Sequence, residues 1–337
     1  MSTYRAMQVD EADAPFHLVE QELPEPGRGS VRIAVEACGI CHSDAMFTGG
    51  HMPGVQFPLV PGHEIAGRVD ALGDGVEGFA VGDRVAVGWF GGNCGRCVAC
   101  REGDAINCAE LKTPGLSYPG GFADAIVVPV SALARIPDGL TAAEAAPMGC
   151  AGVTVFNALR RSVARPGDVV AIVGLGGLGH LGVQFAAKLG FETVAIARGG
   201  EKASFATELG AHHYLDNQAQ DVAAALKALG GAKVVLGTAP DNTSLLDTLG
   251  GLTHRGELIF AGVDATPVPV SPLGLIGGSK RIYGHASGTS REVEETLHFA
   301  ALSGVRALIE ETPLENAAEA FEKMLSGKAR FRMVLTT

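Results

Sequence analysis

No excess of positive charge marks this sequence: 26 Lys and Arg stand against 37 Asp and Glu, for a formal net charge of −11. An acidic surface repels phosphate backbones and anionic lipid, so nucleic acid and membrane surfaces are poor partners. No apolar run approaches the roughly 20 residues that cross a bilayer. The opening Met1-Ser2-Thr3-Tyr4-Arg5-Ala6 has no long apolar core of the signal-peptide kind, and a cytoplasmic setting is expected. There is neither an internal repeat nor a low-complexity tract. What remains is a globular composition, 47% hydrophobic and 19% charged, and 337 residues suit two domains at roughly 100–200 residues each.

Glycine is plentiful at 47 residues, and its use divides the chain. Up to about residue 150, short β-type runs (Ser30–Glu36, Gly82–Val87) alternate with Gly/Pro punctuation such as Leu23-Pro24-Glu25-Pro26-Gly27. That texture predicts a twisted, mostly antiparallel sheet or partial barrel. Beyond it, Val169–Val173, Thr193–Ala197, Lys233–Leu236 and Glu257–Phe260 are strand-length apolar runs, with helical spacing over Leu181–Leu189 and Lys202–Leu209. Strands apolar throughout, alternating with helices, predict a parallel sheet covered on both faces. After about 286 the spacing gives helices over Arg291–Leu302 and Leu314–Leu325 and a last strand at Arg332–Leu335, which could return to the first domain.

The seven cysteines are unevenly placed. Cys94, Cys97, Cys100 and Cys108 fall within 15 positions. Two-residue gaps let successive thiolates turn back on one small ion, and the longer gap closes a tetrahedron, as in closed structural zinc sites. Such a site stabilises a short lobe, about 89–114, that has little core of its own. The plainer reading is four unpaired thiols in a reducing compartment. Cys41, His63 and Cys150 are scattered, and spacing alone leaves His63 an ordinary hydrogen-bonded histidine.

Gly174-Leu175-Gly176-Gly177-Leu178-Gly179 follows the Val169–Val173 strand and opens an apolar helix. A G-x-G-x-x-G in that context is a dinucleotide fingerprint: the first Gly permits the turn, the second lets backbone approach pyrophosphate, and the third lets helix pack on strand. The free N–H groups of the helix start, Leu178 and Gly177 included, then face the phosphates. NAD enzymes generally carry Asp or Glu where the next strand ends, to bind the ribose 2′-hydroxyl. Here Ala197-Arg198 occupies that place. An Arg fork pairs with a 2′-phosphate, which favours NADP(H), with Lys202 beside it. NAD(H) stays open, because Glu201 is near enough in sequence to bind a ribose and Arg198 could stack on adenine.

Three stretches then fit one family. Cys38-Gly39-Ile40-Cys41-His42-Ser43-Asp44, Gly62-His63-Glu64-Ile65-Ala66-Gly67 and Val81-Gly82-Asp83-Arg84-Val85 resemble the signatures of zinc-dependent medium-chain alcohol dehydrogenases. The four-cysteine lobe and the glycine motif come in the expected order, and the match runs from about Arg32 to Arg332. The resemblance implies a GroES-like, mostly-β catalytic domain over 1–149 and 286–337, with a Rossmann cofactor domain over 150–285. It implies two Zn²⁺ per chain. Cys41, His63 and Cys150 would hold the catalytic ion, with Glu64 a carboxylate able to approach it during ligand exchange. Asp44 would bond the free ring nitrogen of His63. Cys38 is left as a buried thiol. Ser43 would take the substrate proton, Thr154 would sit beside the nicotinamide, and His42 and Arg332 would touch the cofactor.

Trp89, Phe90, Met52 and Leu116 are candidate walls of the substrate pocket, Trp89 and Phe90 equally candidates for core. A zinc with one exchangeable position would acidify a bound alcohol, and hydride would pass to the nicotinamide. Many relatives end the proton relay in a histidine where this chain has Met46, leaving water, the cofactor ribose or His51. A small alcohol or aldehyde is the expected substrate, with a polyol dehydrogenase or an aromatic-aldehyde reductase as the nearby alternatives and a non-catalytic cofactor-binding protein as the distant one. Homodimer or homotetramer assembly is also implied.

Overall fold

A computed structural model describes residues 2–239, 242–262 and 266–337. The chain forms two compact units, one of residues 1–153 and 287–337 and the other of residues 154–286.

The first unit is built on a seven-stranded sheet. Its order is Ile309–Pro313, Arg332–Thr336, Ser30–Gly39, Glu64–Leu72, Arg84–Val87, Ala134–Arg135, with Ala125–Pro129 also paired to Ser30–Gly39. Thr3–Gln8 and His17–Glu22 form a separate antiparallel pair. The long Ser30–Gly39 strand divides its edge: residues 30–34 pair with Ala125–Pro129, and Ala37–Gly39 pair with Thr336–Val334. One strand can hold both because they take successive stretches of the same edge, while its side chains alternate between a buried row (Val31, Ile33, Val35, Ala37) and a half-buried row. Val31, Ile33 and Val35 of that buried row join Ile65, Phe122, Ile126 and Leu335 in one core cluster. A long helix, Ser290–Ser303, starts where the Thr289 amide donates to the Glu292 carboxylate (2.8 Å) and stops at left-handed Gly304, φ 77°. It buries Val293, Thr296, Leu297 and Ala300, a helical stripe of the expected spacing.

The second unit is a six-stranded parallel sheet in the order His213–Asp216, Glu192–Ala197, Val169–Val173, Ala232–Gly237, Leu252–Phe260, Arg281–Gly284. Val169–Val173 lies centrally and is buried at all five positions, as a strand covered on both faces must be. The order reverses direction at this strand, which makes the carboxyl ends of Val169–Val173 and its neighbours a crevice for ligands. Its Ala171 and Val173 join Val194, Ile196, Val235 and Leu258 in the unit's own core.

Candidate active site

The four-cysteine lobe closes on itself. Cys108 Sγ lies 3.6 Å from Cys94 Sγ and 3.9 Å from Cys97 Sγ. A zinc tetrahedron with Zn–S bonds of ~2.3 Å has sulfur–sulfur edges of ~3.8 Å, so the spacing suits that ion. The four sulfurs all lie within 4.8 Å of one another. Donors point at them: the amides of Cys94 and Glu110 donate to Cys108 Sγ (3.3 Å each), and the Asn93 side-chain amide to Cys100 Sγ (3.2 Å). Backbone N–H groups hold the Cys94 and Cys97 thiols below their ordinary value, Cys97 at about 6. These two are thereby biased toward thiolate, the form that binds metal, whereas burial and the neighbouring Cys100 and Cys94 sulfurs outweigh the backbone donors at Cys108 and push it up to about 11.

A second set converges within the same unit. Cys41, His63, Glu64 and Cys150, distant in sequence, bring one donor atom each to within 4.8 Å of the others. Cys41 stands just before the short His42–Thr48 helix, and Asp44 in its first turn reaches back to accept the Cys41 amide (2.8 Å). The same carboxylate accepts from the Gly62 amide (3.2 Å) and bonds His63 Nδ1 (2.9 Å). His63 and Asp44 are both fully buried. With Nδ1 engaged, His63 Nε2 is left buried with no protein partner. Buried polar atoms in folded proteins are otherwise almost always satisfied, and an imidazole nitrogen beside two thiols is zinc chemistry. The hydrogen bond from Cys150 and the adjacent His63 hold Cys41 well below the ordinary thiol range. Burial pushes Glu64 up to about 7 although the Arg332 guanidinium pulls it down.

Arg332 reaches Glu64 by sheet register. Gly39 pairs with Glu64 on one side and with Val334 on the other. A Cβ at Gly39 would lie 2.1 Å from Glu64 Oε2, so the carboxylate occupies the space that glycine leaves. Arg332, 3% exposed, forms a buried ion pair with Glu64. The two residues stand at opposite ends of the sequence, and nothing in either neighbourhood announces the pair. Trp89 stands edge-on to His63 with ring centroids 5.3 Å apart, and Phe47 lies 5.7 Å from each. Phe90 is buried, while Met52 and Leu116 are half-buried. Ser43 is half-buried and His42 exposed at the start of their helix. Cys38 joins neither cluster; its Sγ lies 3.7 Å from the Gly39 carbonyl.

In the second unit the glycine turn has the shape its spacing predicts. Gly174 has φ +101°, open only to glycine at little cost. A Cβ at Gly179 would lie 1.9 Å from the Gly174 carbonyl oxygen, whereas Gly176 faces open space. His180, fully buried, bonds the Gly176 carbonyl through Nδ1 (3.0 Å), a contact the motif does not reveal. Gly177 and Leu178 are half-buried, and Thr154 is buried on the Ala151–Arg160 helix. Arg198 and Glu201 are exposed and Lys202 half-buried in the turn after Ala197. Among the described residues, no helix is long and apolar enough to cross a membrane.

Comparison with known proteins agrees with this chemistry. Residues 27–138 match the alcohol dehydrogenase GroES-like domain, and residues 177–301 match the zinc-binding dehydrogenase domain. The chain is 43% identical, over 99% of its length and 98% of the relative's, to the alcohol dehydrogenase patD of Penicillium expansum. Among solved structures it is similar to a cinnamyl alcohol dehydrogenase of Sorghum bicolor, with a TM-score of 0.91 and 30% identity over 99% of this chain and 98% of that one. It is also similar to CAD from Helicobacter pylori complexed with NADP(H), with a TM-score of 0.88 and 28% identity over 99% and 98%. A GroES-like domain with a sulfur-and-imidazole cluster, followed by a parallel-sheet nucleotide domain, places this chain in the zinc-type medium-chain dehydrogenase/reductase family, as an NAD(P)-dependent oxidoreductase of the alcohol dehydrogenase kind.

Proposed function

We propose that the chain interconverts small uncharged alcohols with their aldehydes or ketones, using NADP(H) in preference to NAD(H). One zinc ion is held by Cys41, His63 and Cys150 and a second by Cys94, Cys97, Cys100 and Cys108. The observation that carries this reading is the buried, unpartnered Nε2 of His63 facing two thiols and a carboxylate. When bound there, zinc supplies the positive charge that makes an alcohol hydroxyl acidic, and the nicotinamide accepts the hydride.

The chain's own residues do the rest. Asp44 fixes the His63 ring so that Nε2 presents its lone pair. Ser43 receives the hydroxyl proton. Met46 lies one turn further along the same helix and carries no proton. His51 folds back over Gly49, at the end of that helix away from Ser43. Ser43 passes its proton to water, a cofactor hydroxyl or His51. Glu64, whose carboxyl is pushed up by burial against the pull of the paired Arg332, is the carboxylate available during ligand exchange. His42 and Arg332 contact the cofactor phosphates, Thr154 the nicotinamide and Gly174–Gly179 the pyrophosphate. Trp89 and Met52 form an apolar wall suited to uncharged substrates.

Arg198 stands where an acid would read a ribose hydroxyl, and the Helicobacter pylori neighbour is complexed with NADP(H); both favour the phosphorylated cofactor. The Sorghum neighbour is a cinnamyl alcohol dehydrogenase, which keeps an aromatic-aldehyde reductase as the second reading. Assembly as a homodimer or homotetramer and residence in the cytoplasm belong to the same reading. The test is absorbance of the reduced cofactor over a panel of short primary, benzylic and polyhydric alcohols with each cofactor. Turnover with NADP on primary or benzylic alcohols is expected; preference for polyols, or for NAD, would contradict it. Ser43→Ala should lower kcat by about 10²-fold and leave cofactor binding nearly unchanged. Equal loss of both would remove Ser43 from the relay.

A further inference from the structure

Cofactor choice at Arg198 depends on more than its side chain, because the turn that carries it is tied down from the neighbouring strand. Gly199 adopts φ 86° and ψ 131°, a conformation that L side chains rarely enter. Its amide donates to Asp216 Oδ1 at 3.0 Å, and its carbonyl accepts from the Tyr214 hydroxyl at 2.5 Å. The same hydroxyl lies 3.3 Å from the Ala197 carbonyl. Tyr214 and Asp216 are two apart on the His213–Asp216 strand, so they share one face of it, beside Ala195 and Ala197 in register.

Each contact holds a different peptide plane. The Gly199 amide, on Asp216, belongs to the plane after Arg198, and the Gly199 carbonyl, on Tyr214, to the next; the plane before Arg198 is held by the Asn217 amide, which donates to the Ala197 carbonyl (3.2 Å). With both flanking planes held, φ and ψ of Arg198 are fixed, and so is the direction of its Cα–Cβ bond. Asp216 accepts from the Gln218 amide as well (3.0 Å), which locks its own carboxylate. The Glu201 carboxylate folds back over Gly199, where a Cβ would lie 2.2 Å from its Oε2.

We infer that Tyr214 and Asp216 are positioning residues for cofactor choice: by clamping the Ala197–Gly200 backbone they aim Arg198 at the 2′-phosphate of NADP(H). This rests on the reading of Arg198 as the phosphate-binding residue. A mispointed guanidinium costs the phosphorylated cofactor and leaves NAD, which has no 2′-phosphate, nearly unaffected.

The test is steady-state kinetics of the full-length enzyme with each cofactor. Tyr214→Phe removes only the hydroxyl. It should raise KM for NADP by about three- to tenfold, the worth of one or two tethering hydrogen bonds, with kcat at saturating NADP and KM for NAD within about twofold. Asp216→Ala should behave likewise, and Asp216→Asn, which keeps an acceptor oxygen, should be close to wild type. Arg198→Ala should erase the preference, and adding Tyr214→Phe to it should change the preference no further, because the clamp acts through Arg198. If Tyr214→Phe raises both KM values equally, or neither, while Arg198→Ala does erase the preference, the clamp is overturned and the phosphate reading stands. If Arg198→Ala leaves the preference intact, the phosphate reading fails, and the inference with it.

Discussion

Asp44 carries more of the proposed metal centre than its place outside the ligand set suggests. One carboxylate takes the Cys41 amide, the Gly62 amide and His63 Nδ1, so it sets the position of two ligands at once. Asp44→Ala should lower affinity at this site by about 10–100-fold, as loss of an outer partner commonly does. The check is a chelator competition that follows zinc release; unchanged affinity would show that Cys41 and His63 are held by packing instead. Gly39→Ala should drive the Glu64 carboxylate from its place, since the added Cβ would lie 2.1 Å from Oε2. That variant is expected to bind zinc but exchange ligands more slowly, seen as a fall in kcat larger than the change in KM. At this scale the sequence was legible wherever chemistry repeats at short range. The lobe cysteines announce themselves by spacing. The Glu64–Arg332 pair does not, because it exists only through the register of three strands around Gly39.

Elements were legible in proportion to their periodicity. Val169–Val173 is a strand over the run expected from its unbroken apolar residues, and the glycine turn follows it directly. Arg291–Leu302 lies within the observed helix Ser290–Ser303. Leu314–Leu325 is less regular than its spacing suggests, with a tight 3₁₀ turn at Leu314–Asn316 before the helix Ala317–Leu325. The run Gly82–Val87 shortens to Arg84–Val87, because Gly82 takes φ +94° and ends the turn before the strand. The short, half-buried strand Ile309–Pro313 carries charged and polar residues around one apolar isoleucine, so periodicity alone left it unseen. On the proposed reading an ion holds the cysteine lobe more than a core does: of the four thiols only Cys108 is buried. Cys97→Ser should therefore lower the thermal midpoint by several degrees, with the loss centred on residues 93–112 in hydrogen exchange. A midpoint unchanged in the variant would contradict a structural role for metal there.

At the scale of the whole molecule, each unit has a core cluster of its own and a chemistry of its own, sulfur and imidazole in one and a glycine turn of the dinucleotide type in the other. The alternation of apolar strands and helices made the second legible from residues alone. The first needed the family signature, because Cys41, His63 and Cys150 gain meaning only when the sheet gathers them. Zinc-edge anomalous diffraction from crystals of the purified protein tests that gathering most directly. Two peaks per chain are expected, one among Cys94, Cys97, Cys100 and Cys108, and one touching Cys41 Sγ, His63 Nε2 and Cys150 Sγ together. A peak at the four-cysteine lobe alone, in protein that turns over alcohol, would contradict the proposed catalytic centre.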